Sequence, residues 1–210
     1  MADTNFGYPP PSESREVPVQ HGESGAANQH DPSAMLAIVG GDAYAAGAST
    51  DATGVVSNHI TDLGNVTIAS GYAIFEATAT SPAHGSSMAA ADTFLSVTGA
   101  DIVMEFDFNT SFHIGNTVVA ASEISYIAID IANWTPPHGT LVMDFATYSA
   151  VEGHGHGNAY LPSLVPSGNF AQVAAVADAQ GPNTLTSTLT QALTIENHFS
   201  LVSGAAMVAA

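Results

Sequence analysis

Apolar and polar residues alternate along several stretches of the chain, and such alternation is typical of β-strands. The clearest stretch is DIVMEFDFNTSFHIG. Its apolar residues fall on one face of a strand, namely Met104, Phe106, Phe108, Phe112 and Ile114. Its polar residues fall on the opposite face, namely Glu105, Asp107, Asn109, Ser111 and His113. The pattern therefore predicts a half-buried strand in an antiparallel sheet.

Three further segments carry a related pattern. In NVTIASGYAIFEAT the apolar residues in phase are Val66, Ile68, Tyr72 and Ile74. ISYIAIDIANW is apolar almost throughout, and TLVMDFATYSAV places Leu141, Met143 and Phe145 opposite Val142, Asp144 and Tyr148. Turn-forming Gly, Pro and Asn separate the segments. We therefore predict an all-β fold, an antiparallel β-sandwich or jelly-roll-like single domain.

The first 33 residues differ in composition from the rest. They are rich in Pro, Ser, Glu, Gln and His, include the stiff triplet Pro9-Pro10-Pro11, and hold few residues suited to a core. From Ala34 onward Ala, Gly, Ser, Thr, Val and Ile dominate, which favours strands over helices. We predict an extended arm or linker over residues 1–33 and a β-sandwich domain over residues 34–210. A disordered tail is the alternative for the first segment.

The charge balance restricts the partners of the protein. Its 210 residues include 19 acidic side chains and one basic side chain, Arg15, which gives a formal net charge of −18 with neutral histidines. Such a chain cannot neutralise phosphates, so nucleic acid is excluded as an ordinary partner. An anionic membrane surface would repel it, and no stretch is long and apolar enough for a transmembrane helix. The carboxylates must be solvated, spread apart or neutralised by cations such as Ca²⁺.

Two residue types are missing from the sequence, and each absence reduces the range of possible functions. The chain has no cysteine, which excludes disulfides, thiol catalysis and cysteine-based zinc sites. It also has no lysine, the residue that commonly blunts the exposed edges of β-sandwiches. Either the sheet edges are covered, or edge pairing is what the protein is for.

The chain ends in NTLTSTLTQALTIENHFSLVSGAAMVAA, a cation-free segment over about residues 183–210 that finishes in small and aliphatic residues. Together with the acidic, Lys- and Cys-poor composition, it resembles the uncleaved C-terminal signals of bacterial proteins exported by type I (ABC) transporters. The resemblance implies an extracellular or cell-surface protein. The N-terminus agrees with that route, because it shows no basic region followed by an apolar run and hence no Sec-type signal peptide. The glycine-rich calcium repeats common in that group are missing.

The same C-terminal segment also fits ordinary structure. Leu185, Leu189, Ala192 and Leu193 have helical spacing. On this interpretation a short helix precedes a last strand that packs into the core. An export signal and these elements are compatible with each other.

Carboxylates on neighbouring strands are the candidate ligands for Ca²⁺. Glu105 and Asp107 share the polar face of one predicted strand, and Asp130 and Asp144 lie on neighbouring ones. Two or three converging carboxylates with backbone carbonyls would form a calcium site. A solvated polar face is the alternative for any particular pair.

The segment VEGHGHGNAYLP holds the candidate site for a transition metal. His154 and His156 lie two residues apart, so on a strand both would face the same side, and neutral imidazoles bind Zn²⁺ or Cu²⁺. The candidate third ligand is Glu152, His113 or His138. A flexible, soluble Gly-His-Gly-His-Gly loop is the alternative.

Catalytic motifs are sparse, because the chain has no Gly-x-Ser-x-Gly elbow and no lysine for phosphate binding or Schiff-base chemistry. We therefore do not expect an enzyme. We expect a secreted bacterial structural protein whose partners are copies of itself, assembled as a filament, surface layer or biofilm matrix through exchange of strands or of the arm. An extracellular scavenger of metal or haem and an extracellular hydrolase are the alternatives.

Overall fold

The computed structural model describes residues 34–81, 85–132, 141–148 and 168–210, and within 141–148 Val142 is the residue whose side chain is described. The described chain is all-β and forms a two-layer sandwich, as the alternation predicts. Its strands are β1 (Leu36–Ala46), β2 (Ser49–Asp62), β3 (Val66–Thr80), β4 (Met88–Thr98), β5 (Ile102–Ile114), β6 (Thr117–Ile131), β7 (Leu141–Tyr148), β8 (Asn169–Gln180), β9 (Leu185–Ile195) and β10 (Phe199–Ala209). The predicted arm, residues 1–33, lies outside the described residues.

Two sheets of different width form the sandwich. The narrow sheet has four strands in the order β4-β1-β10-β9, and all of its neighbours are antiparallel. The broad sheet has six strands in the order β7-β5-β6-β3-β2-β8. Its inner pairs are antiparallel, while the edge strands β7 and β8 each run parallel to their neighbour. The antiparallel prediction therefore holds except at the two edges of the broad sheet.

β5 confirms the alternation, but its polar face is the one that points inward. In the register with β6, Glu105 lies opposite Tyr126 and Asp107 lies opposite Ile124, and opposed residues of a β-pair share one face of the sheet. Tyr126 and Ile124 are buried between the sheets, whereas Phe106 is 48% exposed on the outer face. The alternation thus predicted two faces without predicting which one would meet the second sheet.

The C-terminal segment forms two strands. β10 lies inside the narrow sheet and buries Val202 and Val208, which confirms a last strand packed into the core. The short helix was wrong, because β9 occupies its place. Leu185, Leu189 and Leu193 are four residues apart, a spacing that fits one face of a helix and, being even, one face of a strand. The β-branched threonines between them favour the strand.

Small residues fill the space between the sheets. The core consists mainly of Ala and Val, and Phe75 is its largest fully buried side chain. Two glycines make room for the ring: a Cβ at Gly41 would lie 2.6 Å from Phe75 Cδ2, and one at Gly54 would lie 2.4 Å from Phe75 Cε1. Because both distances are far inside van der Waals contact, Phe75 and the two glycines form a close-packed unit that joins the sheets.

Buried hydrogen bonds also connect the sheets. Asn58 of β2 donates through Nδ2 to the carbonyl oxygens of Ala37, at 3.0 Å, and Ala206, at 2.8 Å, both in the narrow sheet. The Tyr126 hydroxyl donates to Asn58 Oδ1. Burial raises the pKa of Tyr126 far above its ordinary value, so the phenol keeps its proton and continues to donate. A satisfied buried network of this kind fixes how the two sheets sit on each other.

The narrow sheet projects slightly beyond the broad sheet on one flank of the sandwich and stops short of it on the other. On the first flank β9 packs over β8. On the other flank β4 packs over β6 and β3 and only touches β5, so β5 and β7 extend beyond β4. We call the inner face of β5 and β7 beyond β4 the shelf. Glu105 and Asp107 project from it, and both are only partly buried.

Candidate functional site

Two of the predicted calcium ligands, Glu105 and Asp107, lie on the shelf. Glu105 and Asp107 occupy the inner face of β5, and the backbone register places Asp144 of β7 beside Glu105. Asn109 donates through Nδ2 to both carboxylate oxygens of Asp107, at 3.1 and 3.2 Å. These bonds hold the Asp107 carboxylate along the strand. The fold thus brings three acidic residues to neighbouring positions of two strands.

The other predicted metal ligands, Glu152, His154 and His156, lie outside the described residues, as does His138. Among the residues that the structure describes, no group of three or more His, Cys, Asp or Glu side chains is placed to hold a metal ion. Ca²⁺ on the carboxylates and Zn²⁺ or Cu²⁺ on the histidine pair both stay predictions.

A cleft of about 430 Å³ opens at one end of the sandwich. Its lining includes Asp62, Asn65, Thr67, Asp130 and Asn183. Asp130, the other carboxylate suggested by the sequence, is 4% exposed there. A lining rich in oxygen and amide groups suits water or a small polar ligand better than an apolar one. The cleft lies away from the shelf, so Asp130 does not join Glu105 and Asp107.

A chain of three side chains crosses β2 and β8 on the outer face of the broad sheet. His59 Nδ1 lies 3.2 Å from Asp178 Oδ2, and His59 Nε2 lies 2.9 Å from Thr61 Oγ1. The order carboxylate, imidazole, hydroxyl is the one used to activate a nucleophile. Here the His59 and Asp178 side chains are 39% and 60% exposed on an open sheet face, where water competes for the hydroxyl. We therefore assign the trio to pairing of β8 with β2.

Like charges oppose each other near the β4 edge of the narrow sheet. Asp42 of β1 and Asp92 of β4 are direct cross-strand partners, and both are exposed. Burial, and then the Asp92 carboxylate, raise the pKa of Asp42 above its ordinary value. Opposed like charges destabilise a β-pair. They also make this edge unfavourable for a second strand that would place a carboxylate directly beside Asp92.

A second acidic cluster lies on the outer face of the broad sheet. Burial, followed by the charges of Asp51 and Glu123, raises the pKa of Glu76, and burial raises the pKa of Asp51. Asp51 Oδ1 and Oγ1 of its cross-strand partner Thr78 are buried without a hydrogen-bond partner. At neutral pH the cluster therefore opposes folding, and protonation relieves it.

The same outer face exposes a band of apolar side chains. The band crosses five strands of the broad sheet and includes Val55, Ile68, Tyr72, Phe106, Ile127 and Val176. These six side chains are 37% to 60% exposed. Serines lie between some of these side chains, because Tyr72 has Ser57 and Ser125 as cross-strand partners. Large apolar side chains that gather on one exposed face are typical of interaction sites. The broad sheet thus presents a face suited to contact with another molecule.

β9 forms the second edge of the narrow sheet, and all eleven of its residues are exposed. Its sequence, LTSTLTQALTI, holds no charged residue and no proline. Leu185 and Leu189 are 57% and 63% exposed. The register with β10 runs without interruption over the whole strand, so no bulge turns its free backbone groups away. A second strand can therefore pair with β9 along its full length.

The sequence did not identify β9 as a site, because the same segment also fits an export signal and a short helix. Two signals were present. Threonine alternates with leucine or serine in LTSTLT, which is the period of two of a strand. The eleven uncharged residues also stand out in a chain with a net charge of −18.

Comparisons with protein-family models, with curated proteins and with solved structures find no match. The function must therefore be argued from the surfaces themselves. Within the described ranges, the structure contains no helix of the length and apolar character needed to cross a membrane.

Proposed function

We propose that this protein is a secreted bacterial structural protein that assembles with copies of itself into a filament, surface layer or matrix. The observation that carries the proposal is the condition of the sheet edges. The two sheets end in β4, β9, β7 and β8, and none of these strands contains a lysine, an arginine or a proline. Natural β-proteins use those residues to prevent edge pairing. Edges without these residues favour the addition of strands from other copies, and β9 favours it most because it carries no charge at all.

The exposed apolar band of the broad sheet supports the same function. Strand pairing at the edges would join copies side by side, whereas packing of the apolar faces would join them face to face. A subunit with two kinds of contact can extend an assembly, while a single self-complementary contact closes at a dimer. The two surfaces together therefore suit a polymer.

The charge of the chain requires that assembly be assisted by cations. Copies with 19 acidic side chains and one basic side chain repel each other when they approach. We propose Ca²⁺ as the counter-ion, with Glu105, Asp107 and Asp144 on the shelf as its ligands, because carboxylate oxygens are the ligands that Ca²⁺ prefers. The extracellular location rests on the resemblance of the C-terminal segment to type I export signals.

The N-terminal arm, residues 1–33, is the segment that we propose to exchange between copies. The free edge of β4 has the shelf beneath it, so a single extended segment beside β4 would cover both the edge and part of the shelf. A donated strand protects an edge without bringing a second layer with it. The β4 edge therefore suits an arm better than it suits a whole sandwich.

Light scattering after size-exclusion chromatography, together with negative-stain microscopy, tests the proposal on the purified full-length protein. Samples contain either millimolar CaCl₂ or EDTA at matched ionic strength. We expect polymers in calcium and fewer in EDTA. A 21.3 kDa monomer in every condition would contradict the proposal. That result would favour a scavenger that binds metal through His154 and His156.

A variant lacking residues 1–33 tests the role of the arm. The described sandwich begins at residue 34, so the variant should keep the circular dichroism of a β-protein. We expect it to assemble more weakly than the full chain. Equal assembly of both proteins would rule out arm exchange and leave pairing between the strands of the sandwich itself.

A further inference from the structure

We propose that β9 pairs in antiparallel orientation with β9 of a second copy, so that two sandwiches form a twofold dimer through their β8–β9 flanks. The inference rests on the proposed self-assembly and identifies the contact that starts it. Such a contact needs free backbone groups, compatible side chains, little repulsion and flanks of suitable shape.

The backbone and side chains of β9 are self-complementary. Every second residue of an edge strand directs its N–H and C=O away from the sheet, so β9 offers these groups along eleven exposed residues. Threonines occupy its inner face, and leucines occupy its outer face. A twofold axis perpendicular to the sheets keeps the outer face outside, so leucines meet the leucine row and threonines meet the threonine row. Cross-strand pairs of these kinds stabilise antiparallel pairing.

Among the four edge strands, β9 is the one at which electrostatic repulsion between two copies is weakest. β4 contains Asp92, β7 contains Asp144 and β8 contains Asp178, whereas β9 contains no charged residue. In a protein with a net charge of −18, two copies repel least where neither edge carries a carboxylate. Glu196 follows β9 directly, and antiparallel pairing places the two copies of Glu196 at opposite ends of the contact. The bare edge is therefore the one at which two acidic copies can approach.

The shape of the two flanks favours pairing of β9 with itself over pairing with β4. β9 packs on β8, the edge strand of the broad sheet, and the residues of its inner face are exposed, so no described strand of the broad sheet projects beyond it. If β9 approached β4 of another copy, β8 beneath it would meet the projecting β5 and β7 strands of that copy. Two β8–β9 flanks meet without that obstruction, and the same axis orients β8 antiparallel to its own copy.

The flank is large enough for a specific contact. Eleven residues at about 3.4 Å each give an edge roughly 37 Å long, and two layers about 10 Å apart make it roughly 15 Å deep. Two such flanks would bury at most about 1,100 Å² in total, which lies near the value of about 1,000 Å² where specific interfaces begin. The contact is therefore at the lower limit for a specific dimer and should depend on each of its strands.

Single-cysteine scanning tests the pairing, because the chain has no cysteine of its own. Each of the eleven exposed β9 residues is replaced in turn in the full-length protein, and Ser96→Cys on the exposed face of β4 is the control. After mild oxidation, disulfide-linked dimers are measured on a non-reducing gel. In a twofold antiparallel pair one residue lies opposite its own copy at about 4.5–5.5 Å between Cα atoms, which a disulfide can span. A residue two positions along is separated from its copy by roughly 14 Å, which it cannot span.

We expect a sharp maximum at one β9 position, about tenfold above the positions two residues away, and no dimer with Ser96→Cys. A flat profile, no crosslinking in β9, or equal crosslinking through β4 would overturn the inference. Binding of the arm or of β4 to β9 would give such a negative profile, since neither brings a second cysteine. Polymers without the β9 maximum would refute only this contact. A β9 maximum in a protein that stops at the dimer would refute the polymer and keep the contact.

Discussion

The two edges of the narrow sheet differ sharply, although β4 and β9 are both eleven-residue strands paired on one side. β4 carries Asp92 opposite Asp42 and has the shelf beneath it. β9 carries no charge, and its inner face is exposed where it projects beyond β8. One edge is thus guarded by like charge and by shape, and the other is bare. An unguarded edge is an aggregation hazard in a monomer, and the proposed pairing of β9 with a second copy would cover it.

The inner faces of the two edge strands also differ, because the side chains of β4 are more buried than those of β9. Alternate residues of β4, including Leu95 and Val97, are partly buried against the core. In β9 even the inward-facing threonines are exposed. β4 is therefore part of the packed sandwich, whereas β9 is held mainly by its pairing with β10. A partner strand has more to stabilise at β9 than at β4.

The largest expected effect is a loss of stability of the whole sandwich, and both edges depend on that stability. Phe75→Ala empties the space between Gly41 and Gly54 and should cost about 3–5 kcal/mol of unfolding free energy. Tyr72→Ala on the exposed face of the same strand is the matched control and should cost far less. Urea titration measures both. Equal losses would show that the packing around Phe75 does not hold the sheets together.

A lysine placed on each edge in turn tests whether association depends on β9 rather than on β4. Leu189→Lys puts a lysine on β9, where the dimer would bring it close to its own copy, and should weaken association by at least tenfold, about 1.4 kcal/mol. Ser96→Lys places the same charge on the outer face of β4 and should leave dimerisation intact. Sedimentation over a dilution series gives the two dissociation constants. If Ser96→Lys weakened association as much as Leu189→Lys, β9 would lose its special role.

A substitution that removes the charge of Asp92 tests whether like charge destabilises the β4 edge. Asp92→Asn relieves the opposed pair with Asp42 and should stabilise the fold by about 0.2–1 kcal/mol. Asp178→Asn is the control, because Asp178 faces His59 at 3.2 Å and has an attractive contact to lose. Thermal melts separate the two variants. A lower melting temperature for Asp92→Asn would show that the pair is not repulsive.

The smallest effect is a dependence of stability on pH. The folded state raises the pKa of Asp42, Asp51 and Glu76 above the ordinary values of 3.8, 3.8 and 4.5. Unfolding therefore releases protons, and stability falls as the pH rises from these ordinary values through the raised ones. We expect a higher melting temperature at about pH 4.5 than at about pH 7. Asp92→Asn should reduce the Asp42 part of this slope, and a slope of opposite sign would contradict the assignment.

Local patterns predicted the strands better than they predicted the surfaces. Alternation of apolar and polar residues follows from backbone geometry alone, so the strand through Glu105 and Asp107 was found from sequence. The face that meets the core depends on where the second sheet lies, which is a long-range property. The spacing of Leu185, Leu189 and Leu193 fits a helix and a strand equally well. Pairing with β10, which is a long-range contact, makes the segment a strand.

The candidate site shows the same division between local and long-range information. The backbone register brings Asp144 beside Glu105, whereas Asp130 lies at the cleft and does not join them. The bare β9 edge appears only when strand order is known, because the sequence does not say which strands end a sheet. The predicted ligands His154 and His156 lie outside the described residues, so their role remains a prediction.

Hydrogen exchange on the unmodified full-length protein tests the central claim most directly. Amides of an edge strand that point away from their sheet exchange quickly, and pairing with a second strand protects them. Exchange is followed by mass spectrometry at a low and a high protein concentration, with peptides that cover β9 and β4. We expect β9 to gain protection at the high concentration and to gain more of it than β4, whose proposed partner is the arm rather than a whole sandwich. Self-association without added protection in β9, or with equal protection in β4, would contradict the account.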